Sequence, residues 1–153
     1  MLKSGRNTLS LVNDTIKLKS KADYDQVWCV FDVEDYAPED IRSAMQLAKS
    51  HQIQIACSNQ AFEIWFLLHF HYYNNALDRS QYTGSLSKLL GFPYEKNLYI
   101  SHLLFDKQNL AIKNAERLHR EYPIYDPATC NPSTTVHRLV IELNRFSPDS
   151  RVN

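Results

Sequence analysis

The sequence predicts an α/β fold, a parallel sheet followed by a helical C-terminal portion. Residues 27–31 (VWCVF) and 53–57 (IQIAC) are short runs rich in β-branched, aromatic and other apolar side chains, and they read as strands. A helix-patterned segment separates them. Strand, helix, strand over roughly 30 residues is a βαβ unit, and such units place their strands in parallel. Behind the second strand the apolar spacing turns helical almost to the end of the chain.

Each element has its own warrant. Asn7 or Thr8 caps a helix over residues 9–17, with Leu11, Val12, Thr15, Ile16 and Leu18 on a partly apolar face. The polar link KSKADYD leads to the first strand. Pro38 suits a first helical turn, and Ile41, Ala44, Met45 and Ala48 follow at helical spacing over residues 38–50. Residues 60–73 (QAFEIWFLLHFHYY) are apolar nearly all round, which predicts a buried helix. A loop over 74–82 precedes a short helix, 86–90, ended by Gly91 and Pro93. Leu110, Ala111, Asn114, Ala115 and Leu118 give an amphipathic helix over 105–121. The segment YPIYDPATCNPS holds three prolines and reads as a loop; residues 134–146 form a last helix with Val136, Leu139, Val140 and Leu143 inward. Two strands are too few for a stable sheet, so a further strand is expected, either missing or donated by a partner.

Composition bounds the function. The 153 residues suit one domain, residues 1–153. Lys plus Arg equals Asp plus Glu, 17 each, so no general field draws nucleic acid, although a local basic groove is compatible with this balance. Three glycines leave nothing from which to build a glycine-rich phosphate loop. Cys29, Cys57 and Cys130 are odd in number and widely spaced, which argues against a disulfide framework and suits a reducing cytoplasm. No run is apolar and long enough for a signal peptide or a bilayer span, so no membrane association is expected.

The chemistry concentrates in a few places. The first strand runs into Asp32, Glu34 and Asp35. Residues two apart on extended backbone project to one side, so two of these carboxylates can share a hard divalent cation. The competing reading is an acidic loop whose charges favour the next helix's dipole. In open α/β sheets ligands bind beyond the carboxyl ends of the strands. Ser58 and Asn59 end the second strand and are expected beside the acidic cluster. Glu63 sits in the first turn of the most apolar helix, too far from Ser58 and Asn59 for a capping box, and on a face shared with Phe66, Leu67 and Phe70. A carboxylate there needs a metal, a backbone amide or the helix dipole. His69 and His71, two apart on a helix, diverge, and His69 reads first as a buried, hydrogen-bonded histidine. Lys96 reads first as a surface lysine, and Lys113, Arg117 and Arg120, offset by Glu116 and Glu121, as a solvated face.

Taken together, VWCVFDVED, SNQAFEIWFLLHF, YEKN, NLAIKNAERL and NPSTTVHRLVIEL resemble, in this order, the RloB-like family. The resemblance runs from about Thr8 to Leu143. Its most specific part is residues 58–70, where Ser58, Asn59, Phe62, Glu63, Trp65 and His69 match and Gln60 replaces the family's usual proline. The resemblance implies a Toprim-like sheet, with residues 1–73 a partial Toprim-like core and 74–153 a helical portion. It implies Mg²⁺ or Mn²⁺ held by Asp32 and the Glu34/Asp35 pair at the Asp-x-Asp position, catalytic parts for Glu63, His69 and Lys96, and cleavage of DNA or RNA. It further implies a role in restriction-linked phage defence, or abortive infection, beside an AAA-type ATPase. Two departures stand out. Position 34 is Glu rather than Asp, and the family's opening strand, with its Toprim glutamate, precedes Met1 in the pattern. The expectation is therefore a shortened member with activity weakened or lost. The alternative is a non-catalytic interaction module acting with the partner ATPase, to which aromatic richness and neutral charge are suited.

Overall fold

The computed structural model describes residues 7–34 and 36–147. Asp35, one of the expected metal ligands, lies outside the described residues.

Helix α1 (Thr8–Lys19) begins at Asn7, whose side-chain oxygen accepts from the Ser10 amide at 3.0 Å. Strand β1 (Trp28–Asp32) follows, then α2 (Pro38–Ser50), with Pro38 at its first turn, Glu39 and Asp40 beside it and Lys49 in the last turn. Strand β2 (Gln54–Asn59) pairs in parallel with β1, Trp28 opposite Gln54 and Asp32 opposite Ser58. The expected βαβ unit is present.

Alternation on the strands sends side chains to two faces. Cys29 and Phe31 pack with Val12, Ala44, Ala48 and Ile53 under α1 and α2. Trp28 and Ala56 join the larger core on the other face. That core is supplied by α3 (Glu63–Leu67), α4 (Arg79–Leu90), α5 (Ser101–Leu104), α6 (Gln108–Arg120) and α7 (Val136–Arg145). Leu67, Leu68, Tyr82 and Leu86 are fully buried in it, and burial of each such side chain is worth about 1.5–3 kcal/mol.

Four expectations are corrected. The sheet has a third strand, β3 (Ser133–Thr134), which pairs antiparallel with the end of β2, so the fold is mixed α/β with strand order β1-β2-β3. This short strand follows a proline-rich segment, and only long-range pairing defines it. The helix expected over 60–73 is reduced to five residues. Beyond it, His69 and Phe70 make tighter bonds to Phe66 and Leu67, while side chains take other carbonyls: Asn114 Nδ2 donates to Leu68 O at 2.8 Å and His69 Nδ1 to Trp65 O at 2.8 Å. Helix α4 reaches back into the expected loop because Asp78 and Gln81 form a capping box; its other end is closed by Gly91 at φ 78°. The helix expected over 105–121 opens instead as a 3₁₀ turn at Phe105–Lys107 and becomes α-helical only in α6, with the separate short α5 just before it.

Among the described residues no helix is long and apolar enough to cross a membrane. Cys29, Cys57 and Cys130 are all free and buried.

Candidate functional site

Parallel pairing brings the ends of β1 and β2 together. Past the last strand pair, the Val33 amide donates to Ser58 O at 2.8 Å and the Glu34 amide to Gln60 O at 3.1 Å. Glu34 has φ 49°, a left-handed conformation uncommon for a residue with a side chain, and such positions concentrate at functional sites. Beyond β2 the chain turns into α3, which presents Glu63 at its first residue.

Three carboxylates meet two cations here. Lys96 Nζ lies 3.9 Å from Asp32 Oδ2 and 3.9 Å from Glu63 Oε1. Arg79 Nη2 lies 3.8 Å from Asp32 Oδ2 and makes a close ion pair with Glu34 Oε1. The Tyr94 hydroxyl donates to Glu63 Oε1 at 3.5 Å. Glu63 is only 2% exposed, and its Oε2 has no hydrogen-bond partner.

Burial is the strongest influence on Asp32. It pushes the carboxyl up from 3.8 to about 6; Lys96 opposes this, Glu63 and Glu34 add to it, and Arg79 opposes it. Ion pairing alone would lower the value; burial outweighs it. Burial and Glu63 also push the Tyr94 hydroxyl up to about 12, which keeps it a proton donor.

The other predicted residues fall in different places. Ser58 and Asn59 tie β2 to the late part of the chain: Ser58 Oγ is 2.9 Å from Thr134 Oγ1, and Asn59 Nδ2 donates to Pro127 O at 3.0 Å. Phe62 packs edge-on to Phe66, with ring centroids 5.2 Å apart. Trp65 packs edge-on to His69 at 4.8 Å. His69 is buried and hydrogen-bonded to Trp65 O, and burial lowers its pKa. Its contacts are with Trp65 and not with the carboxylates.

Arg79 and Tyr94 are members that the sequence reading passed over. The residue pattern around Arg79 suits a loop, but the Asp78–Gln81 capping box sets it in the first turn of α4. Tyr94 stands in the quoted YEKN segment, but nothing in its spacing pairs it with Glu63.

A Toprim-type reading implies a divalent cation. Among the described residues no three His, Cys, Asp or Glu side chains group closely enough to cage a metal by themselves. Mg²⁺ does not demand such a cage: it is commonly held by one or two carboxylates, its remaining positions going to water and substrate phosphate. The buried, unpartnered Glu63 Oε2 and the largely buried Asp32 carboxylate, which shares Lys96 with it, fit that mode.

Fold and site define a class: a mixed α/β protein whose parallel strand pair ends in a lysine-bridged carboxylate cluster. Within that class the family model described as RloB-like protein matches residues 2–143. The chain belongs to the RloB-like family. No curated protein and no solved structure matches it.

Proposed function

We propose that the cluster is the site of an Mg²⁺- or Mn²⁺-dependent phosphodiesterase of Toprim type, acting on nucleic acid. The observation that carries the reading is the buried Glu63 carboxylate, one oxygen unpartnered and the other sharing Lys96 with Asp32. Asp32 and Glu63 would hold the ion, with Glu34 at the rim. When bound, the ion would neutralise a non-bridging phosphate oxygen and activate a water. Lys96 and Arg79 turn from the carboxylates to the phosphate, where Arg79 offers a planar two-point donor and Lys96 a point charge. Tyr94 keeps Glu63 oriented, and Glu63 would accept the proton of the attacking water as its oxygen bonds to phosphorus; the bond from phosphorus to the leaving ester oxygen breaks, and that oxygen takes a proton from solvent. Family membership supports a setting in restriction-linked phage defence, and three free buried thiols suit a reducing cytoplasm.

The test is cleavage of labelled single- and double-stranded DNA and RNA with Mg²⁺ or Mn²⁺, set beside Mg²⁺-dependent thermal stabilisation. Glu63→Gln is expected to slow cleavage about a hundredfold or more. Asp32→Asn is expected to lose the Mg²⁺ stabilisation as well. Absence of both cleavage and stabilisation in the unaltered chain overturns the reading.

One observation favours the second reading, docking on a partner ATPase. A cavity of about 340 Å³ at the opposite end of β1 is lined by Tyr24, Trp28, Leu143 and Phe146 and rimmed by Asp23, Asp25 and Glu142. Loss of co-purification with that ATPase in Leu143→Ser with Phe146→Ser would support it.

A further inference from the structure

A second cavity, of about 310 Å³, is walled by residues of the two segments that also carry Glu63 and Lys96, among them Trp65, Phe66, His69, Leu98, Tyr99 and Phe105. We infer that it receives an unpaired nucleobase, so that the site acts on single-stranded nucleic acid; this rests on the phosphodiesterase reading and names its substrate class. Three observations support it. First, the elements are shared. Helix α3 carries Glu63 at its first residue and Trp65 and Phe66 within the next turn. The segment bearing Lys96 runs directly into Leu98 and Tyr99, and Tyr94 touches both Glu63 (3.5 Å) and the Phe66 ring (centroids 6.2 Å apart). Tyr94 thus links the carboxylate that would face the phosphate to an aromatic wall of the cavity that would take the neighbouring base.

Second, the aromatic rings are offered to solvent rather than stored. Tyr99 is 81% exposed and Phe105 73% exposed, while Ile100 and Leu104 beside them are buried and anchor the segment. Tyr99 lies nearly parallel to His102, interplanar angle 20°, so its ring forms a flat platform. Base stacking on such rings is sequence-tolerant, because every base has a π face. Third, charge brackets the cavity without filling it. Lys96 stands on the cluster side, and Lys107 is near enough to influence His69. His69 itself is buried and hydrogen-bonded, an apolar floor rather than a phosphate ligand. A volume of this size falls within the range of ligand sites, from about 300 to 1,000 Å³, and at its small end, where a nucleoside belongs.

The experiment is equilibrium binding in EDTA, which separates recognition from hydrolysis. Fluorescence anisotropy is read for labelled 12-mers of thymidine and of uridine, the corresponding abasic deoxy-oligomer and a blunt duplex of equal length. The unaltered chain is compared with Tyr99→Ala, Phe105→Ala and Tyr99→Phe. Each alanine variant is expected to weaken base-bearing single strands between about tenfold and a hundredfold, with abasic binding unchanged and Tyr99→Phe close to the unaltered chain. The ratio of thymidine to uridine affinity tells DNA from RNA. Equal weakening on the abasic oligomer, equal affinity for the duplex, no effect of either alanine, or no binding of any oligomer overturns the inference. Metal-dependent cleavage that survives Tyr99→Ala and Phe105→Ala sinks the base pocket and leaves the phosphodiesterase standing. Base-dependent binding without cleavage does the reverse.

Discussion

Replacing Asp32 by Asn is expected to stabilise the protein above neutral pH, although it removes one partner of two ion pairs. The folded environment raises this carboxyl from 3.8 to about 6, and that value already includes the pull of Lys96 and Arg79. A raised acid is held more tightly by its proton in the folded state. The associated stability is fully present below about pH 4 and is lost as pH rises through about 6. The gap corresponds to roughly 3 kcal/mol at 1.36 kcal/mol per pKa unit. Asn at position 32 mimics the protonated form and has no proton to lose. Urea unfolding of both chains between pH 4 and 8 reads the difference. The two midpoints should nearly coincide at pH 4 and separate with rising pH. The variant should lie higher at pH 8 by about 1 M or more, given slopes of about 1–3 kcal/mol per molar urea. An Asn variant that is less stable at pH 8, or a gap that does not change with pH, would refute the electrostatic reasoning.

Two further outcomes follow from named contacts. Lys96→Ala leaves Asp32 and buried Glu63 without their shared ammonium. Because Lys96 is half exposed, the cost is about 1–2 kcal/mol rather than that of a fully buried pair, and millimolar Mg²⁺ should recover part of it in a thermal melt. The three thiols should resist an aromatic disulfide reagent at pH 8 until the chain is unfolded, since all are buried and burial pushes Cys57 up to about 11; a fast native-state thiol would contradict the packing.

The front half of the fold was legible because its signals are local. VWCVF and IQIAC declare their strands, and Pro38 marks the helix between them. That the acidic end of β1 lies beside Ser58 and Asn59 follows from parallel geometry, and the register then sets Asp32 opposite Ser58. What escaped was decided at long range. Ser133 and Thr134 carry no strand signature of their own; they become one by meeting Asn59 and Ser58. The all-apolar run after Gln60 looked like one helix, yet Asn114 and His69 claim its carbonyls from outside the ladder. The candidate site divides the same way. Asp32, Glu34 and Glu63 stood out as charges beside apolar runs. Arg79 and Tyr94 reach the cluster from elements whose packing no spacing rule reports.

The β2–β3 pairing also sets a schedule. Ser58 finds Thr134 only after 76 further residues have been made. At about 5–20 residues per second on the ribosome, that is a delay of about 4 to 15 s. Through that interval the edge of β2 nearest Glu63 has no strand beside it, and the late-arriving segment that will receive Asn59 has not been synthesised. A nascent chain thus holds Ser58 and Asn59 long before the strand that will clasp them, so closure of the sheet is among the last events of its synthesis.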